Sequence, residues 1–389
     1  GESTSPGKTA RIYHVACHSS FPEWICQQLA IYSSLHKISS VTKWFCPYPF
    51  RAPISRLAQF LTPVLFLLAF IPANPLAIGQ QQIPPAVNKN KTPSGNQTDL
   101  DSEVGRQNDN PGPENIPHYL ESRYDQIAWL VTHNAMSNRE EGWWFPNQSY
   151  GISKQLKDGV RGLMLDIHMI DDKPYLLHGR AILGKIPLVT ALTDIKTFVK
   201  KNPKAILTLI FESYAPAKQV REAFEAAGLL NFLHQQPAAR SWPNIKDMIA
   251  QDKRVVVFTD AGGGDWPGYH DVWDFCQETH FSVKQTNDFS YQRNRGKQSN
   301  PLFILNHFLT RPTAGIGLAQ QANSAAILKP RLDGCQKLAM RFPNFVAVDF
   351  YEIGDTASLL REFNQTAMRT RHSEIQSTTS KSGNALQQK

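Results

Sequence analysis

Between residues 116 and 368, apolar runs alternate with amphipathic stretches. Ile127–Asn134, Gly159–Ile170, Ala205–Phe211, Arg254–Thr259, Leu302–Phe308 and Phe345–Phe350 are rich in large apolar side chains. Such runs predict strands buried on both faces, as in a parallel sheet. Pro174–Leu177 predicts one more short strand. Val189–Lys201 gathers Leu192, Ile195, Phe198 and Val199 on one face and predicts a helix that stops at Asn202-Pro203. Lys218–Ala227 predicts a second helix, ended by Gly228. Trp242–Asp252, Leu328–Arg341 and Thr356–Ala367 complete the helical set. About 250 residues of alternating elements predict an α/β domain, read as a distorted (β/α) barrel. A doubly wound sheet is the architectural alternative.

The flanks have other patterns. Arg51 to Arg56 is a short basic stretch, followed by an apolar run from Leu57 to Ile71 and by small residues up to Gly79. That order describes a secretory signal or an uncleaved anchor; the run is short for a membrane span, which needs roughly 20 residues. Residues 51–79 are therefore read as signal-like, and a secreted or extracytoplasmic location is expected. Residues 1–50 form an N-terminal extension with no readable role. Residues 80–115 are Gln, Asn, Pro, Ser and Asp with few large apolar groups, and predict a disordered linker. Residues 369–389 predict a disordered tail.

The net charge of +8 changes the picture little once it is located. Residues 1–79 hold six cationic and two acidic side chains, and residues 367–389 hold four and one. The domain itself is close to neutral, so a nucleic-acid partner is not expected. Of the five cysteines only Cys276 and Cys335 fall in the domain, and no metal-binding Cys/His spacing occurs. A disulfide between them and two buried thiols are both open. No Gly-rich dinucleotide or phosphate loop is present; Gly262-Gly263-Gly264 leads into no helix signal. Four sequons begin at Asn90, Asn96, Asn147 and Asn364.

The candidate chemistry sits at strand ends. His133-Asn134 follows the first strand, Asp166 lies in the second, His178 follows Leu177, and Glu212 ends the run Ala205–Phe211. Two imidazoles can serve as base and acid in phosphodiester cleavage. Asn134, Asp166 and Glu212 offer oxygen ligands suited to a hard cation, Ca²⁺ or Mg²⁺. Singly, each residue has a structural explanation; together, at the ends of successive strands, they describe a site. Trp143-Trp144-Phe145 lies in the loop after the first strand, where it could meet a lipid interface or pack on the rim.

Several ordered stretches resemble the X domain of phosphatidylinositol-specific phospholipase C, most of all its single-domain secreted members. They are Thr132-His133-Asn134, Gly159 through Asp166, Leu177-His178-Gly179, Phe211-Glu212-Ser213-Tyr214, Trp242-Pro243 and Arg341 through Tyr351. The resemblance spans roughly residues 120–365. It implies a distorted TIM barrel, with His133 as general base, His178 as general acid and Asp349 orienting His133. It implies a divalent cation, most readily Ca²⁺, on Asn134, Asp166 and Glu212, and a phospholipid headgroup at a membrane surface as partner. A monomer is expected. Two positions depart from the family pattern. Met164 stands where metal-dependent members carry a carboxylate, and His168 where metal-independent members carry an arginine. A glycerophosphodiester or sphingomyelin-type phosphodiesterase and a silent headgroup- or glycan-binding barrel are the competing readings.

Overall fold

The structure, a computed structural model, describes residues 112–386, with side chains as far as residue 377. The N-terminal extension, the signal-like segment and the linker as far as residue 111 lie outside the described residues, with Asn90 and Asn96.

In chain order the strands are β1 (Trp129–Thr132), β2 (Gly162–Ile170), β3 (Lys173–Leu176), β4 (Ile186–Pro187), β5 (Leu207–Ser213), β6 (Val255–Thr259), β7 (Tyr269–Asp271), β8 (Cys276–Thr279), β9 (Arg293–Arg295), β10 (Leu302–Asn306) and β11 (Phe345–Val348). The path runs β7-β6-β5-β2-β1-β11-β10-β8-β9. From β7 to β8 every neighbouring pair is parallel, and order in space follows order in sequence around a ring. No reversal point interrupts it, so the chain is a barrel and not a doubly wound sheet. No pairing joins β7 to β8, and the ring is open there. Only α5 (Val272–Phe275) links the two strands. A parallel neighbour requires a crossover of about a dozen residues or more, so β7 and β8 splay apart.

The doubly apolar strands divide by parity into two layers. Leu130, Leu163, Leu165, Leu209, Phe211 and Val257 pack outward against the helices. Trp129, Val131, Ile210, Val256, Phe258 and Ala347 fill the barrel interior. This parity sets the site: positions 133, 166, 212, 260 and 349 continue the inward register.

The remaining helices are α1 (Ile152–Lys157), α2 (Leu188–Lys201), α3 (Ala217–Ala227), α4 (Ile245–Ala250), α6 (Ile316–Ala322), α7 (Ala325–Lys337) and α8 (Thr356–Leu386). Gly228 closes α3 in the left-handed conformation, φ 68°. α7 starts at Ala325, after the N-cap Ser324 and earlier than the apolar pattern indicates, and Met340 lies beyond it at φ 52°.

Two expectations need correction. Residues from 369 onward are helical as far as Leu386, because their helix docks on the body. Met368 is buried, Arg371 lies over the Phe342 ring at 5.0 Å, and His372 stacks on His118 at 3.8 Å. The body also reaches back before Ile116: Glu114 forms a buried ion pair with Arg161. Of the two readings left open for the cysteines, the structure has free buried thiols at Cys276 and Cys335. Cys276 belongs to the inner layer and Cys335 to the outer, so the sheet separates them.

Candidate active site

Parallel pairing of β1 with β11 aligns Thr132 with Val348, which places His133 beside Asp349 just past both strand ends. Nδ1 of His133 lies 2.9 Å from Oδ1 of Asp349. An ionised carboxylate can only accept, so Nδ1 carries the proton and Nε2 keeps its lone pair. Asn147 donates a second bond to the same Asp349 oxygen at 3.0 Å. Phe308 stacks on the imidazole at 3.8 Å and 6°. Gln148 donates to the carbonyls of His133 and Val348, at 2.8 and 3.1 Å, and ties the two strand ends together. The ring is therefore fixed on one edge and one face. Nε2 has no partner among the described residues.

An acidic row stands nearby. Asp166 pairs with Glu212 in the β2–β5 register, and Phe211 pairs with Thr259 between β5 and β6. Asp260 therefore lies beside Glu212 at the same level, its N–H bonded to the Phe211 carbonyl at 3.0 Å. Asp166 is 8% exposed, and its carboxylate accepts no hydrogen bond from any described residue. Burial, then the charges of Glu212 and Asp260, push its pKa well above the usual carboxylate range. Glu212 takes a short hydrogen bond from Tyr214, whose ring stacks on His168 at 4.5 Å. Asn134, in the left-handed region at φ 46°, is buried, with its amide nitrogen 3.4 Å from the Asn147 oxygen.

His133, Asn134, Met164, Asp166, Glu212 and Asp260 line one cavity of about 130 Å³ at the C-terminal mouth of the barrel. Its far wall is Trp273, Glu278, Phe281, Arg295 and Asn306. A larger groove of about 460 Å³, between α7 and α8, holds no imidazole.

His178 is not among the residues lining this cavity; it lies near them by a different route from the expected one. β3 is not a barrel strand; it runs antiparallel to β2, with Ile167 opposite Leu176. The chain thus doubles back, and His178 opens to solvent beside β2. Partial burial, then the nearby His133, lower its pKa, while Glu212 and Asp349 pull the other way. The two histidines, Asp349 and Glu212 therefore share one electrostatic neighbourhood.

Several oxygen donors line this part of the cavity. Asp166 is a buried carboxylate without a protein donor, flanked by two further carboxylates and the Asn134 amide, an oxygen-rich set. Met164 adds no hard donor. Among the described residues no three His, Cys, Asp or Glu side chains stand close enough to form a cage by themselves. Glu212 is drawn toward Tyr214, and Asp260 accepts from the Ser213 N–H at 3.0 Å.

The family model described as PI-PLC X 1 matches residues 119–364. The chain belongs to the PI-PLC X family. A PI-PLC X domain-containing protein of Arabidopsis thaliana is 30% identical over 258 residues; the match spans 60% of this chain and 59% of that relative. An uncharacterized secreted protein of Arthroderma benhamiae is 24% identical over 307 residues, 72% of this chain and 69% of that relative. Among solved structures, a pentafluoro-Phe form of phosphatidylinositol-specific phospholipase C from Staphylococcus aureus superposes with a TM-score of 0.48 at 12% identity, covering 66% of this chain and 98% of that one.

Within this PI-PLC X domain, sequence reasoning overlooked several site residues. Asn147 reads as a sequon, yet it is buried beneath His133. Asn364 is likewise buried, bonded to the N–H and carbonyl of Ala128 at 2.9 and 2.8 Å. Asp260 carried the same strand-end signal as Glu212 and could have been found. Glu278 and Arg295 lie on short, polar strands that show no periodic signal. Trp143 turns inward onto Gly184, whose φ of 144° suits glycine and where a Cβ would strike the indole. Trp144 and Phe145 stay exposed.

Proposed function

We propose that this chain is a phosphoric diester hydrolase of the phosphatidylinositol-specific phospholipase C type, acting on an inositol phospholipid at a membrane surface. The observation that carries the reading is His133, which has its Nδ1 on Asp349, its face on Phe308 and Nε2 free beside the acidic row. Nε2 takes the proton of the inositol 2-hydroxyl. That oxygen attacks phosphorus, the bond from phosphorus to the diacylglycerol oxygen breaks, and His178 protonates the departing oxygen. The product is a cyclic inositol phosphate, which water opens with the two histidines exchanging roles. Asp349 keeps the proton of His133 on Nδ1 and steadies the imidazolium as it forms. Asn134, Asp166 and Glu212 would hold a divalent cation, Ca²⁺ or Mg²⁺, which when bound supplies positive charge for the non-bridging oxygens. Export fits the signal-like residues 51–79 and the secreted relative. Among the described residues no helix is long and apolar enough to cross a membrane; the possible anchor, residues 57–71, lies outside them.

The test is release of cyclic inositol phosphate from phosphatidylinositol vesicles, with and without chelator. Release that His133→Ala and His178→Ala each abolish supports the reading. No release in saturating Ca²⁺ or Mg²⁺ rejects it.

A further inference from the structure

Asn306 closes β10, and the alternation of that strand runs on past its end. Ile304, Asn306 and Phe308 line the cavity, whereas His307 and Leu309 turn the other way, toward a small satellite core. Leu309 packs there with Val283 and Ala322, beside Phe289 and Leu318. His307 is fully buried, its ring stacked on Phe289 at 4.8 Å and its Nε2 donating to the Ala322 carbonyl at the end of α6 at 2.8 Å. Burial, then the Arg331 charge, lowers the His307 pKa to about 3, so this anchor stays neutral near pH 7. The backbone is pinned on both sides as well. The His307 N–H bonds to the Ala347 carbonyl at 2.8 Å, and the Thr310 N–H to that of Val283 at 2.9 Å. Phe308 sits between these anchored neighbours, 4% exposed, with its ring against the His133 imidazole, centroids 3.8 Å and planes 6° apart.

The bond from Nδ1 to Asp349 settles which nitrogen of His133 holds the proton, but by itself leaves the ring free to roll about that bond. The Nε2 lone pair lies in the ring plane, so rolling swings it away from the hydroxyl it must reach. Phe308 sets the plane. An aromatic face also attracts positive charge. Close parallel stacking is a poor arrangement for two neutral rings, which prefer an offset or an edge; it improves when one ring becomes a cation. The contact therefore strengthens as His133 takes the proton, and an interaction made mainly in the transition state raises kcat and not binding.

We propose that Phe308 is a positioning residue for His133: held by the satellite core, its ring fixes the direction of the Nε2 lone pair and stabilises the imidazolium as it forms. The assignment rests on the hydrolase reading, since it gives the proposed base its aim. It explains why a buried histidine with no place in the cavity, His307, is anchored next to the site.

Two measurements test it. The first is vesicle kinetics on Phe308→Leu, which keeps apolar bulk and removes the π face, beside Phe308→Tyr, which keeps the face. Phe308→Leu should lose about tenfold or more in kcat with KM changed less than threefold, and Phe308→Tyr should stay within threefold of wild type in both. Unchanged kcat in Phe308→Leu, a loss confined to KM, or equal losses in the two variants overturns the proposal and leaves the hydrolase reading standing. A wild type without turnover rejects that reading and this assignment with it. The second measurement needs no turnover: NMR of histidine-labelled protein, with the His133 signals assigned by their loss in His133→Ala. In wild type the His133 ring C–H signals should lie upfield through the Phe308 ring current. In Phe308→Leu they should move downfield while the nitrogen shifts keep the proton on Nδ1. His133 signals without an upfield shift in wild type, or unmoved by Phe308→Leu, overturn the stack as the device that aims the base.

Discussion

Asp349, just past the end of β11, holds His133, just past the end of β1, through a 2.9 Å bond to Nδ1. Those strands are paired partners, so the dyad is a product of barrel register and not of loop conformation. Asp349 is buried, and Asn147 donates to the same oxygen. Asp349→Asn replaces an acceptor with an amide that can present its NH₂ to the ring and release the Nδ1 tautomer. We expect kcat to fall about 10²–10⁴-fold with little change in KM. Asn147→Ala should cost less, because one of the two bonds to the oxygen remains. Vesicle kinetics on both variants check this, and a change in KM alone for Asp349→Asn would contradict the orienting role.

The acid limb of catalysis should also carry a signature. His178 must be protonated to serve the leaving oxygen, and partial burial together with His133 lowers its pKa. The protonated form is therefore lost at a lower pH than for an ordinary histidine. We expect kcat/KM to decline on the alkaline side with an apparent pKa below about 6.5, a value that belongs to the histidine pair and not to one ring. A profile that stays flat up to pH 8 would remove His178 from the role of acid.

How much of this was legible follows from how each residue is tied to a pattern. Asp166, Glu212 and Asp349 end or lie within long apolar runs, whose parity fixes the inward face, so position along the strand implied position in the site. His178 was placed at a strand end for a partly wrong reason. Its strand looked like a barrel strand but is the return arm of a hairpin, and four residues cannot reveal their pairing direction. Residues 261–301 were unreadable. β7, β8 and β9 are three or four residues long, and β8 carries polar groups whose partners, such as Arg295 for Glu278, become visible only in three dimensions. The tail was misread because its helix is stabilised by docking at Met368 and Arg371, which composition does not report.

The acidic row should make the protein less stable than it could be. Asp166 has a folded pKa raised above its unfolded value, first by burial and then by Glu212 and Asp260. For such a group stability is fully present below the unfolded pKa and is lost as pH rises through the folded one. Asp166→Asn removes that loss. In chelator at pH 8 the variant should melt roughly 2–4 °C higher, as expected for about 1 kcal/mol in a domain of this size. At pH 4 the two proteins should converge. Added Ca²⁺ should raise the melting temperature of wild type and leave Asp166→Asn unmoved. Thermal scans at the two pH values check this; a destabilised Asp166→Asn at pH 8 would mean that the carboxylate has a donor.

The loop after β1 separates two tryptophans that the sequence presents as equals. Trp143 is 7% exposed and packs on Gly184, while Trp144 is 68% and Phe145 57% exposed. The Trp144 N–H bonds to the Leu183 carbonyl at 2.8 Å, which ties this loop to the one that carries His178. Ile182, 86% exposed, lies one residue from that contact. Exposed aromatic and aliphatic groups on two loops joined at the barrel mouth are suited to the membrane–water boundary, where Trp is favoured. Trp144→Ala with Ile182→Ala should therefore weaken partitioning to phosphatidylinositol vesicles about tenfold and leave the melting temperature unchanged. Trp143→Ala should do the reverse: it should lose about 3–5 kcal/mol of stability through the cavity it leaves, with partitioning of the folded fraction unchanged. Sedimentation with vesicles beside thermal denaturation distinguishes the two, and equal partitioning of the Trp144→Ala/Ile182→Ala protein and wild type would place the membrane contact elsewhere on the surface.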